Sequence, residues 1–98
     1  MKLPTKAPKE LNKESAAWWL TCTKEFDLKT GGELQVLTEA AFSLDRIAQC
    51  RTVLKKDGLF TEGARGLVAH PATRLEQQHR SLVLQACRQL GISSPVAE

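Results

Sequence analysis

The chain has 98 residues, of which 42% are hydrophobic and 26% charged, and its net charge is +3. That supports one modest core, rules out two, and excludes a wholly disordered polymer. No apolar run approaches the ~20 residues of a bilayer span, the N-terminus lacks a signal-peptide core, and the mild positive charge permits a polyanionic partner without demanding one.

Met1 to Leu11 holds two prolines, three lysines and a single acid, and reads as a mobile basic arm, residues 1–11, ahead of a single helical domain over 12–95. Lys2, Lys6, Lys9 and Lys13 are its candidate phosphate contacts. Asn12 is placed to cap a first helix running to about Leu28, with Glu14 favourable in its first turn. Trp19, Cys22 and Phe26 recur on one side of that helix. Trp18 points about 100° away from Trp19, so the two rings serve different surfaces. Glu25 and Asp27 argue against a base-stacking groove there.

Lys29 to Gly32 reads as a turn before a long central helix, Glu33 to Gly58. Leu34, Leu37, Ala41, Leu44 and Ala48 form one apolar row, and Val36, Ala40, Ile47, Cys50 and Leu54 a second. Together they span an arc of roughly 200°, wide enough to need cover from more than one side. At about 1.5 Å per residue the helix is close to 40 Å long. Leu59 to Ala69 has two glycines and no helical period. A short hairpin or extended loop is expected, bent at Gly63 or Gly66, with Leu59, Phe60, Leu67 and Val68 tethering its ends to the helices.

His70-Pro71 opens the last helix, which runs to about Leu90 and stops at Gly91, with Pro95 preventing continuation. Leu75, Leu82, Val83, Ala86 and Leu90 make its predicted apolar seam. Arg74, Arg80 and Arg88 lie opposite, on a nearly acid-free face, and are the further candidate DNA contacts. The fold class is therefore all-α: a three-helix domain with a long central helix and a short hairpin or extended loop before the last helix.

Catalytic patterns are missing from the sequence. There is no GxxxxGK phosphate loop and no GxGxxG, so an ATPase is not expected. Cys22, Cys50 and Cys87 lie one to each predicted helix, as packed thiols of a reducing compartment rather than a disulfide framework. No metal site and no cofactor are expected. His79 falls on the apolar side of the last helix as a hydrogen-bonded core residue, and His70 as a cap or loop lock. Glu33, Glu39 and Asp45 are scattered around the central helix and do not pair for acid–base work.

Taken in order, a proline-containing arm and tryptophan-bearing helix (PKELNKESAAWW), a glycine turn, a long helix (LTEAAFSLDRIAQC), a glycine-bearing loop and HPATRLEQQHRSLVLQACRQLGIS resemble a phage terminase small subunit of the compact type. The most specific features are His70-Pro71, Leu90-Gly91 and Ser93 to Pro95, and the resemblance covers roughly Pro8 to Pro95. It implies a non-enzymatic DNA-packaging protein in the cytoplasm of a bacterial host cell. Such a protein recognises packaging-site double-stranded DNA, assembles as a ring-like oligomer, and engages the terminase large subunit, which carries the ATPase and nuclease. The candidate oligomer or partner contacts are Trp18, Trp19, Phe26, Leu34, Leu37, Phe42 and Leu44.

Family members usually carry extra sequence at one or both ends. A second expectation is therefore a satellite- or prophage-encoded adaptor that binds a full-length terminase small subunit and redirects packaging. A helix-turn-helix regulator is a third, weakened by a second helix too long and apolar to read DNA.

Overall fold

A computed structural model of the chain describes residues 7–28, 30–63 and 66–96. Three helices, α1 (Lys13–Glu25), α2 (Gly31–Asp57) and α3 (Pro71–Leu90), are joined by one turn and by the hairpin β1 (Phe60–Gly63) and β2 (Gly66–Ala69). The expected all-α class, long central helix and hairpin are all present.

The start of α1 is fixed twice. Asn12 Oδ1 accepts from the Ser15 N–H at 2.8 Å, and the Asn12 N–H donates to Asp45 Oδ2 on α2 at 3.1 Å. Leu11, just before the cap, is buried and packs in the same core as Ala16, as in a hydrophobic staple. The core thus reaches back into the expected arm, to Leu11 and the half-buried Ala7, and forward to Val96. Lys2 and Lys6 lie outside the described residues.

α1 ends at Glu25, earlier than Leu28. Asp27 takes a left-handed φ of 52°, which an aspartate tolerates better than most residues, and the chain folds back to bury Leu28. α2 begins at Gly31, earlier than expected, because Thr30 and Glu33 form a capping box: the Thr30 hydroxyl accepts from the Glu33 N–H at 3.1 Å and the Glu33 carboxylate from the Thr30 N–H at 3.2 Å.

α1 and α3 run antiparallel to α2 on faces roughly 150° apart around its wheel. The register against α1 is shown by Asn12–Asp45 and by Trp19, whose indole N–H donates to Thr38 Oγ1 at 3.1 Å. Against α3 it is shown by Arg51–Glu76, at 3.1 Å, and by His79 Nδ1 within 3.4 Å of Ser43 Oγ. The core is Trp19, Cys22, Leu28, Leu37, Ala41, Ile47, Val83 and Cys87, with Leu11 and Ile92 closing its edges. Nine of the ten predicted arc residues of α2 are at least half-buried; Ala48 is exposed, because α1 starts opposite Asp45 and leaves that side of α2 open beyond it.

α1 is therefore only half as long as the helix it covers, and the distal half of α2 is covered by α3 alone. The molecule is elongated, 56 × 24 × 18 Å. The hairpin sits at the far end, in antiparallel register with Phe60 opposite Ala69 and Gly63 opposite Gly66.

Candidate functional site

Among the described residues the exposed large hydrophobic side chains, Phe26 apart, lie on α2, the hairpin and α3 or between them. The expectation that Leu59, Phe60, Leu67 and Val68 tether the hairpin is corrected: all four are exposed, Leu67 by 72% and Phe60 by 59%. The strands follow the end of α2 and precede α3, and their large apolar side chains stand in solvent. Their attachment is polar and lies at the base. The His70 N–H donates to the Leu59 carbonyl at 2.8 Å. The His70 ring then works at both nitrogens: Nδ1 accepts from the Ala72 N–H at 3.0 Å, capping α3, which leaves the ring proton on Nε2 to face Asp57 Oδ2 at 3.2 Å. The expected cap and loop lock are one residue.

The predicted seam of α3 is also corrected at two positions. Val83 and Ala86 are buried and Leu90 is half-buried, but Leu75 and Leu82 are 48% and 50% exposed. They stand at one edge of the apolar arc, and its opposite edge, where Val83 and Cys87 lie, is the part that is buried. Leu75 and Leu82 instead form a wall of an open groove between α2 and α3. One half of it is lined by Val36, Ala40, Ser43, Leu82 and Ala86. The other is lined by Cys50, Val53, Ala72, Leu75 and His79. The Ser43–His79 contact crosses from α2 to α3 between the two halves. Seven of the eight large hydrophobic side chains exposed among the described residues lie along this groove or on and beside the hairpin, and large exposed apolar patches mark interaction sites.

The expected partner residues divide by depth. Trp19 and Leu37 lie in the interior and hold the protomer together. Leu34, Phe42 and Leu44 are half-buried against that core. Trp18 is half-buried beside Leu44, Pro95 and Val96 in a shallow hollow at the α1–α2 junction. Phe26 is exposed, because α1 ends before it and it becomes the C-cap. Trp18 and Trp19 thus face different environments, as their 100° offset requires.

The expected DNA contacts do not converge. Lys9 and Lys13 are exposed near the start of α1, beside the middle of α2. Arg74 and Arg88 are exposed on the solvent side of α3, fourteen residues and about 21 Å apart. Arg80 is half-buried and sits towards the packed side, about 120° from Arg74, so it does not share their face.

Of the remaining chemistry, the three cysteines are free and buried. Burial, with the neighbouring Cys87 thiol and then Glu25, raises Cys22 to about 11, and burial also raises Cys87 despite a hydrogen bond from Ser94. Glu33 and Asp45 serve helix starts, while Glu39 is exposed on α2. Asp45 Oδ1 and Thr73 Oγ1 are buried with no hydrogen-bond partner among the described residues. Among those residues no cluster of three histidines, cysteines or acids is placed to hold a metal, and no helix is long and apolar enough to cross a membrane. Compared with protein-family models, with curated proteins and with solved structures, the chain matches none of them.

Proposed function

We propose that the chain is a non-enzymatic assembly protein of the phage terminase small subunit type. It works by binding protein surfaces, those of its own copies, of another small subunit or of the terminase large subunit, and by holding packaging-site DNA electrostatically. The observation that carries the assembly part is the uncovered apolar surface of the groove and hairpin, on a protomer whose core is otherwise closed. The packaging part rests on the order and spacing of the sequence motifs from the tryptophan helix to the His-Pro helix.

DNA contact falls to Arg74 and Arg88, on a face of α3 shared with Gln77, Ser81 and Gln85 and free of acids. Two phosphate contacts give a log–log salt slope of about 1.8. A double Arg74→Ala, Arg88→Ala change is expected to lower affinity and remove that share of the slope. Unchanged affinity refutes the assignment.

One observation favours the adaptor reading. Lys9 and Lys13 lie at the start of α1 on one side of α2 and α3 carries its arginines on another, so these cations do not form a single track for a duplex. On that reading a full-length small subunit is the main partner, and duplex DNA binds weakly to the isolated chain. A fluorescence titration of labelled duplex against the chain, with and without the small subunit, separates the two.

A further inference from the structure

We infer that the groove between α2 and α3 is a symmetric dimer interface, in which a second copy lies antiparallel across it with the two-fold axis beside the Ser43–His79 contact. The inference deepens the assembly part of the function proposed above and rests on it for its biological role.

The groove is built like half of a helical bundle. On α3, Ala72, Leu75, His79, Leu82, Ala86 and Gln89 follow one another at alternating steps of three and four, the spacing of a helix–helix seam. On α2, Val36, Ser43 and Cys50 recur at seven, with Val53 continuing the row. Large apolar side chains stand on the walls, and small ones, Ala40, Ser43, Ala72 and Ala86, lie lower. A surface with both knobs and holes on one face is complementary to itself, which an isologous contact requires.

The register of α2 against α3 decides how two copies meet. Arg51–Glu76 and Ser43–His79 put Ser43 and His79 at the same level, midway along the groove. A two-fold axis crossing the groove there sets Leu75 of one copy beside Leu82 of the other, and Ala72 beside Ala86. On α2 it sets Val36 over Cys50, and Val53 over the bare backbone of Gly32.

Charge selects this arrangement over a parallel one. The groove lining contains one carboxylate, Glu39, and one guanidinium, Arg46, both exposed. They flank Ser43 at four residues before and three after, so the antiparallel axis brings each Glu39 to the other copy's Arg46, twice. The other polar residues of the rim are the glutamines Gln35, Gln49, Gln85 and Gln89 and the histidines His70 and His79. In a parallel pair α2 lies over α3 of the other copy, and both charges face Leu82 and Leu75 without a counter-ion, which is costly. The area is also of the right order. α3 is about 30 Å long and two helices side by side are about 20 Å across, a flat face of roughly 600 Å² before corrugation, which approaches the ~800 Å² per partner of a standard interface.

The test is a charge swap read by sedimentation equilibrium of the full chain. Wild type is expected to be dimeric. Glu39→Arg and Arg46→Glu are each expected to weaken the dimer at least about tenfold, because each leaves two like-charge contacts. The double Glu39→Arg, Arg46→Glu variant is expected to recover affinity to within about threefold of wild type. Both positions are exposed, so the fold should tolerate the changes. Leu82→Gln gives an independent reading: the dimer should be lost and the circular dichroism of the helices retained. A monomeric wild type, single swaps that leave the mass unchanged, or a double swap no better than the worse single would each overturn the proposal. Retained assembly with insensitive swaps would refute this face alone and leave the assembly function standing.

Discussion

Trp19 carries an apolar ring into the core and one polar atom that must be satisfied there. Thr38 meets it by accepting the indole N–H while its own hydroxyl donates back to the Leu34 carbonyl at 2.7 Å. Leu37, fully buried a turn away, has no such constraint and serves volume alone. Leu37→Ala is expected to cost about 2–5 kcal/mol in urea unfolding, since α1, α2 and α3 all crowd the site and cannot collapse freely. The thiols make a second prediction at this scale. Cys22 holds its proton to about 11 in the folded chain against 9.0 for an unperturbed thiol. Between those values the native state binds more protons than the unfolded one, so stability is fully present below about pH 9 and falls as pH rises towards 11. Unfolding midpoints that stay level across that window would contradict the burial of Cys22. The sequence separated Trp18 from Trp19 correctly because adjacent helical residues diverge by about 100° whatever packs on them. It misplaced Leu75 and Leu82 because periodicity marks an apolar arc and not the part of it a neighbour covers.

The helices are ended by local chemistry, which is why their number and order were readable. Asn12, the His70-Pro71 pair and Gly91 each act where expected, Gly91 at a left-handed φ of 70°. Open space surrounds a Cβ there, so Gly91→Ala should cost only the backbone penalty, about 1–2 kcal/mol, visible as a lower melting temperature. The start of α2 was legible too, in Thr30-Gly31-Gly32-Glu33, but the glycines suggested a turn and hid the capping box. Thr30→Ala should cost about 0.5–2 kcal/mol, and Thr30→Ser much less. No local signal said that the hairpin would stand clear of the helices. Its residues have the composition of a packed element, and a two-stranded ribbon is marginal alone. Phe60 and Leu67 are exposed on it, although strand composition of this kind usually accompanies burial.

At the scale of the molecule, the unequal helix lengths matter most. α1 closes a core over half of α2, and the other half, with α3 and the hairpin, becomes an arm whose apolar side faces out. Trp18 belongs to the closed half, where it packs on Leu44 and the C-terminal segment near Val96. Trp18→Ala should therefore lower stability more than it lowers assembly; the reverse, in paired melting and mass measurements, would return Trp18 to the interface. The basic residues were legible as residue types but not as a surface, because sequence does not say that α1 and α3 flank α2 on different sides. We propose that protein covers the exposed groove and hairpin. Light-scattering mass of the chain, run alone and then with a full-length small terminase subunit, tests it most directly. The account predicts a dimer or larger closed assembly alone, or a mixed complex when the second subunit is added. A monomer in both runs would contradict it.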